Sequence, residues 1–113
     1  PYTTLFRSVT DYYTYLNKEQ YQAAYRLLAH REREKYGTYD QWVKSVKVTH
    51  NRQMSSLHLQ GVLRDDDDVD HIFFELTFTD KAYPNQMFVK MIYERDTWRI
   101  ESIVPYDQKY EER

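Results

Sequence analysis

The sequence predicts an α+β domain with three N-terminal helices on a curved antiparallel sheet. Three observations carry that prediction. Apolar residues recur every third or fourth position up to Val46, and from Lys47 onward they recur every second position. The later segments are joined by short polar connections, which forces neighbouring strands to run antiparallel, because parallel pairing needs longer crossovers. The chain has 113 residues, the size of one domain.

Leu5, Val9, Tyr12, Tyr13 and Leu16 form the apolar stripe of a first helix. Asn17-Lys18-Glu19-Gln20 has the form of a capping box, flanked by Leu16 and Tyr21 as a hydrophobic staple. A second helix is therefore expected to start at Lys18, to bury Tyr21, Ala24, Tyr25 and Leu28, and to run through the charged His30–Lys35 stretch to a C-cap at Gly37. Thr38 with Gln41 repeats the capping-box form, and Tyr39, Trp42, Val43 and Val46 make the apolar face of a short third helix.

Leu57, Leu59 and Leu63 then alternate with polar residues, with Gly61 as a bulge or bend. Asp65 to Asp70 reads as a hairpin tip. Ile72, Phe74, Leu76 and Phe78 alternate in the next strand, and Met87, Val89, Met91 and Tyr93 in the one after. Arg95-Asp96 makes a tight turn into a last strand from Thr97 to Val104. Residues 1–105 thus form the domain, and 106–113 a polar tail expected to fray.

Composition narrows the function. A net charge of −2 argues against nucleic-acid binding, whose footprint is a basic excess. Absence of cysteine removes disulfides, thiolate metal sites and cysteine nucleophiles. No apolar run approaches the roughly 20 residues of a membrane span, so no direct membrane insertion is expected. Aromatic residues make up 17% of the chain, 12 of them tyrosine, enough for a large core, a lined pocket or an interface. The chain begins at Pro1 without an initiator methionine, which leads us to expect a domain of a longer protein or a processed form.

Three amphipathic helices before a long-stranded antiparallel meander resemble the nuclear transport factor 2-like superfamily, of the cystatin-like class. Its bent sheet wraps the helices into a cone-shaped α+β barrel. The Glu94–Ile100 segment, with Trp98, looks like that superfamily's final hairpin, and the Tyr39–Val46 helix, with Trp42, like its third helix. The resemblance covers about Leu5 to Val104. It implies a recess at the wide end of the cone, for which Tyr13, Tyr25, Tyr39, Trp42, Phe74, Met87, Met91 and Trp98 are the lining residues expected. The same large residues also suffice to fill a closed core, the plainer reading.

The resemblance further implies pairing through the outer sheet face. Val62, Phe73, Phe88 and Ile92 are expected there, as a homodimer contact or the docking surface for another protein or domain. Fold fixes no activity, since the superfamily spans enzymes, adaptors and domains appended to bacterial membrane proteins.

Candidate chemistry is sparse. The Asp65–Asp68 run with Asp70 lacks the spacing of a calcium loop and reads as a solvated turn. His30, His50, His58 and His71 show no metal-ligand spacing. Asp11, Asp40 and Glu75 are the acids closest to apolar segments, and the pattern forces none of them inward. The alternating charges of His30–Lys35 read as a solvated helix end. The expected function is a non-catalytic interaction domain of a larger, extracytoplasmic or membrane-tethered bacterial protein, with a small apolar ligand in the cone. No cofactor, metal or catalytic residue is expected. The alternative is a small cone-cavity isomerase, dehydratase or hydrolase acting on an apolar substrate.

Overall fold

A computed structural model describes residues 2–48, 52–64 and 70–112. Among them, α1 (Tyr2–Asn17), α2 (Tyr21–Arg26), α3 (His30–Tyr36) and α4 (Tyr39–Lys47) precede β1 (Met54–Arg64), β2 (Asp70–Phe78), β3 (Gln86–Glu94) and β4 (Thr97–Pro105). A 3-10 helix, Tyr106–Glu112, closes the chain. The strands form one antiparallel sheet in the order β1-β2-β3-β4, curled but not closed, because β1 and β4 do not pair. The α+β class holds. Asp65–Asp68 and His50 lie outside the described residues.

The helices sit on the inner face of the sheet. Phe74 and Leu76 of β2, Val89 and Met91 of β3 and Ile100 of β4 are fully buried against Leu5 and Val9 of α1, Leu28 and Trp42. Fully burying one such side chain stabilises by about 1.5–3 kcal/mol. The capping box predicted at Thr38 is present, with the Gln41 N–H donating to Thr38 Oγ1 and the Thr38 N–H to Gln41 Oε1. One such cap contributes about 1 kcal/mol. Packing of Trp42 therefore fixes where α4 lies, and the cap fixes where it starts. Gly37, just before it, has φ +89°, and a Cβ there would collide with the Gln41 carboxamide held in the box. A side chain there would be strained by the positive φ and would push the Gln41 carboxamide out of the box.

The second predicted helix is two helices. The Leu27 carbonyl accepts from the Ile100 N–H at 2.8 Å, and the Ala29 N–H donates to the Ile100 carbonyl at 2.7 Å. Leu28 thus forms a parallel bridge to β4. A residue in such a bridge cannot also continue the helical ladder, so α2 ends at Arg26 and α3 restarts at His30. The predicted capping box at Asn17 is also not formed. Helix α1 extends through Asn17, whose side-chain amide donates instead to the Arg52 carbonyl. Glu19 takes φ +59°, and the chain turns there before α2 begins at Tyr21.

Two bulges set which residues face outward. In β1 the register passes from Leu59↔Phe74 to Gly61↔Phe73, leaving Gln60 as the extra residue. Strand residues alternate faces, so one extra residue reverses the parity beyond it. Val62 therefore pairs with Ile72 on the inner face, 53% exposed, and not on the outer face as predicted. In β4 the extra residue is Glu101, between Ile100 and Ser102. Its buried carboxylate lies 3.1 Å from Lys90 Nζ and from Arg31 Nη1, and 3.6 Å from His71 Nε2. Lys90 and His71 are buried on the outer face, and the bulge brings a carboxylate to both, a counter-charge for Lys90. Buried charges require such pairing.

The aromatic part of the outer face is covered by the chain itself. Phe73 (5% exposed) and Phe88 (0%) stack on each other at 5.0 Å, and Val104 and Tyr106 complete the cluster. Tyr106 meets Phe88 edge-on, and its hydroxyl donates to Gln60 Oε1. The segment predicted to fray is thus a 3-10 helix whose first residue packs on the sheet. Ending the chain after Pro105 should uncover Phe88, lower stability by about 1–3 kcal/mol and induce self-association, read by chemical denaturation and sedimentation. A shortened chain that is as stable and as monodisperse as the parent would refute this role for Tyr106.

Candidate functional site

A recess of about 180 Å³ opens between the helices and the β2–β3 end of the sheet. Helix α1 supplies Tyr12, Tyr13 and Leu16, α3 supplies Glu32 and Tyr36, and α4 supplies Val46. Phe78, Met87 and Ile103 form the sheet wall, and Arg52 with Pro84 forms the rim. Larger hollows elsewhere, such as one of about 440 Å³ between α3 and β4, are lined mainly by charged side chains. Glu32 borders both, and the recess differs in setting it among tyrosines and aliphatic residues.

Local folding explains each polar group. The break at Leu28 resets the helical phase, so that in α3 Glu32 and Tyr36, four residues apart, share the face turned toward α1. Glu32 is only 4% exposed. Arg52 is held by the β2–β3 connection. Its Nε and Nη2 donate to Asp80 at 3.1 and 2.7 Å, its Nη1 donates to the Pro84 carbonyl at 2.6 Å, and its guanidinium lies 4.0 Å from the centroid of Phe78. The Arg52 hydrogen bond holds the Asp80 carboxyl below its ordinary range. This cluster fixes the rim as a rigid clip between the start of β1 and the β2–β3 connection.

The tyrosines are kept protonated. Burial pushes Tyr12 well above its ordinary value, and the Tyr13, Tyr36 and Glu32 charges add to the rise. Tyr13 is also raised by burial, with Arg52 pulling the other way and Tyr36 and Glu32 reinforcing it. Tyr36 is raised by burial first and by Glu32 second. The recess therefore presents neutral hydroxyls beside a carboxyl group. Such a set can hydrogen-bond a polar group carried on an apolar body.

Of the residues predicted to line the pocket, Tyr13 and Met87 do so. Trp42, Phe74 and Met91 are fully buried core. Tyr25 and Tyr39 pack against Trp42, and Trp98 packs edge-on against Tyr93. Glu32, Tyr12, Tyr36 and Arg52 were missed as pocket residues. Ala29, Glu32 and Tyr36 at i, i+3 and i+7 are the signal that could have found Glu32. It was obscured because the sequence reading ran one helix through residue 28. Asp40 is exposed, and Glu75 lies on the outer face, accepting from Gln60 and Gln86. Among the described residues no group of three His, Cys, Asp or Glu side chains could hold a metal ion, and no helix is long and apolar enough to cross a membrane.

The chain matches no family model, no curated protein and no solved structure.

The raised tyrosines make an alkaline prediction. A group whose folded value lies above its unfolded one adds stability that is fully present below the unfolded value. That stability is lost as pH rises through the folded value. Stability should therefore decline above about pH 10, the ordinary tyrosine value. In a tyrosinate absorbance titration, fewer than the 12 tyrosines should ionise while the protein stays folded, and the rest on unfolding. Tyr12→Phe/Tyr13→Phe should shrink that late step. Reversible titration of every tyrosine at its ordinary value in the folded protein would contradict the assignment.

Proposed function

We propose that this chain is a non-catalytic binding domain of the nuclear transport factor 2-like kind that takes a small, mostly apolar ligand into the recess. The order of helices before a curled antiparallel meander supports the family reading. The observation that carries the ligand reading is the buried Glu32 carboxyl facing a partly empty, tyrosine-lined space. A recess of about 180 Å³ is smaller than the roughly 300–1,000 Å³ typical of drug-sized ligands, whereas an apolar cavity of ~150 Å³ admits benzene. The ligand is therefore of one-ring size, with a hydroxyl or amino group directed at Glu32.

Docking through the outer sheet face has less support. Phe73 and Phe88 are already covered by Val104 and Tyr106, Val62 faces inward, and Ile92 alone of the four residues is half-exposed on that face.

The same carboxyl group favours a second reading, a small isomerase, dehydratase or hydrolase in which Glu32 moves a proton on an apolar substrate. Buried carboxyl groups beside tyrosines are suited to acid–base work.

Toluene, benzyl alcohol and benzylamine separate these readings in one titration, followed through the ring resonances of Tyr12, Tyr13 and Tyr36. Benzyl alcohol or benzylamine should bind about tenfold more tightly than toluene, the worth of one net hydrogen bond. Glu32→Leu should erase that preference while toluene still binds. Saturable binding of a probe recovered unchanged supports the module. Chemical conversion of a bound probe that is lost in Glu32→Gln supports the enzyme. If no probe perturbs those resonances, the recess is not a ligand site.

A further inference from the structure

Two hollows meet at Glu32. It lines the recess of about 180 Å³ and also the space of about 440 Å³ between α3 and β4, and among the described residues it alone lines both. Helix α3 explains why. Arg31, Glu34 and Lys35 lie three and four positions apart and share the face over the larger hollow. Glu32 and Tyr36 share the neighbouring face, over the recess. At about 100° per residue, Glu32 falls on the side of its face nearest Arg31 and Lys35. Strand β4 divides in the same way, with Ile103 lining the recess and Glu101 and Ser102 lining the hollow. The two spaces therefore adjoin along the seam between α3 and β4.

That seam is pinned near its start. The Ala29 N–H donates to the Ile100 carbonyl at 2.7 Å, and Arg31 Nη1 donates to Glu101 Oε1 at 3.1 Å. Helix α3 is thus held to β4 on both sides of His30, and the recess ends at a fixed wall. The two spaces differ in character. Tyrosines and aliphatic residues dominate the recess, whereas Arg31, Lys35, Glu34 and Glu101 make the hollow polar with both signs of charge. A molecule reaching from one into the other would need an apolar body and a long arm with a polar end.

Resting on the reading of the recess as a ligand site, we propose that the Glu32 side chain is the partition that ends it, and that its volume sets the length of ligand accepted. Glu32 is buried, and a buried side chain yields its space only at a cost in packing. With the partition in place the site holds a compact ligand whose polar group sits on the ring or one carbon from it. A ligand with a longer arm is turned away. Shortening the side chain at this one position joins the recess to the hollow, and the arm of a longer ligand then passes between α3 and β4 toward Glu101 and Ser102. Specificity for length thus depends on the bulk of Glu32, and the preference for a polar group on its carboxyl.

The test is titration of the intact chain with benzyl alcohol and with phenylbutanol, a neutral pair that differs in the length of the arm. Ring resonances of Tyr12, Tyr13 and Tyr36 report on the recess, and the amide resonances of Glu101 and Ser102 on the hollow. In the parent, benzyl alcohol should bind without moving the Glu101 and Ser102 amides, and phenylbutanol should bind about tenfold more weakly, as expected of an overfilled site. In Glu32→Ala and Glu32→Ser, phenylbutanol should become the tighter ligand, each methylene newly buried adding up to about fourfold, and should shift the Glu101 and Ser102 amides. Glu32→Gln, which keeps the volume and loses the charge, should keep the order seen in the parent. Phenylbutanol binding as tightly as benzyl alcohol to the parent or to Glu32→Gln would overturn the partition. So would shortened variants that still bind benzyl alcohol yet gain nothing for phenylbutanol. If neither shortened variant folds, the parent and Glu32→Gln decide the matter by themselves. Silence of the tyrosine resonances toward both alcohols would remove the recess as a ligand site, and the partition with it.

Discussion

Much of this structure depends on two hydrogen bonds, those that tie Leu27 and Ala29 to the two sides of Ile100. They do three things at once. They end one helix and start another, they hold the edge of β4 against the helical layer, and they set the rotational phase of α3. Without the bridge, a helix running unbroken from Tyr21 would carry the His30–Tyr36 segment forward at about 100° per residue from the Ala24 face, on a different axis. The two bonds together contribute only about 1–3 kcal/mol net. Their importance is geometric: they decide where seven charged and aromatic side chains point.

Three consecutive residues of α3 show the consequence. Arg31, largely exposed, reaches Glu101 on the outer side of β4. Glu32 turns into the tyrosine-lined recess. Arg33 lies against Tyr25 and under the influence of Arg99. Successive side chains on a helix diverge by about 100°, so one short helix wedged between α1, α4 and β4 meets three surroundings of different polarity. The alternation of sign along His30–Lys35 is then no generic solvated face. Glu101 is available to Arg31 only because the β4 bulge releases it from the regular ladder, and the same bulge sets its carboxylate beside Lys90 and His71.

The legible part of the fold was what rests on local periodicity. The stripe of α1, the capping box at Thr38, the alternation in β2 and β3 and the two-residue turn at Arg95-Asp96, both with positive φ, follow from residues near in sequence. What escaped depends on partners far along the chain. The break at Leu28 is made by Ile100, 72 positions later, and no helix-breaking residue marks it. The parity of Val62 was misassigned although Gly61 had been read as a bulge, because a bulge must also be counted when faces are assigned. Phe73 and Phe88 were correctly placed on the second face. What covers them is a tyrosine in a tail whose composition alone suggests solvent.

The recess was illegible for a related reason. Its apolar wall could be read from alternation, but the polar residues that give it chemical character come from segments that look like surface. Glu32 lies in a run of charges, and Arg52 follows a turn. Sequence composition reports how many charged residues a segment has, whereas burial is decided by the elements that later pack over it. Glu32 shares its recess with Tyr12, Tyr13 and Tyr36, large, wet-tipped rings that can pack beside a polar group without excluding it. The high tyrosine content, which by itself fits a core, a pocket or an interface equally well, thus has a specific use here. Phenylalanine at those three positions would fill the same volume but bring no hydroxyl groups to the recess. Tyrosine brings hydroxyls to the same recess, and those hydroxyls remain protonated because burial and the neighbouring carboxyl both oppose their ionisation.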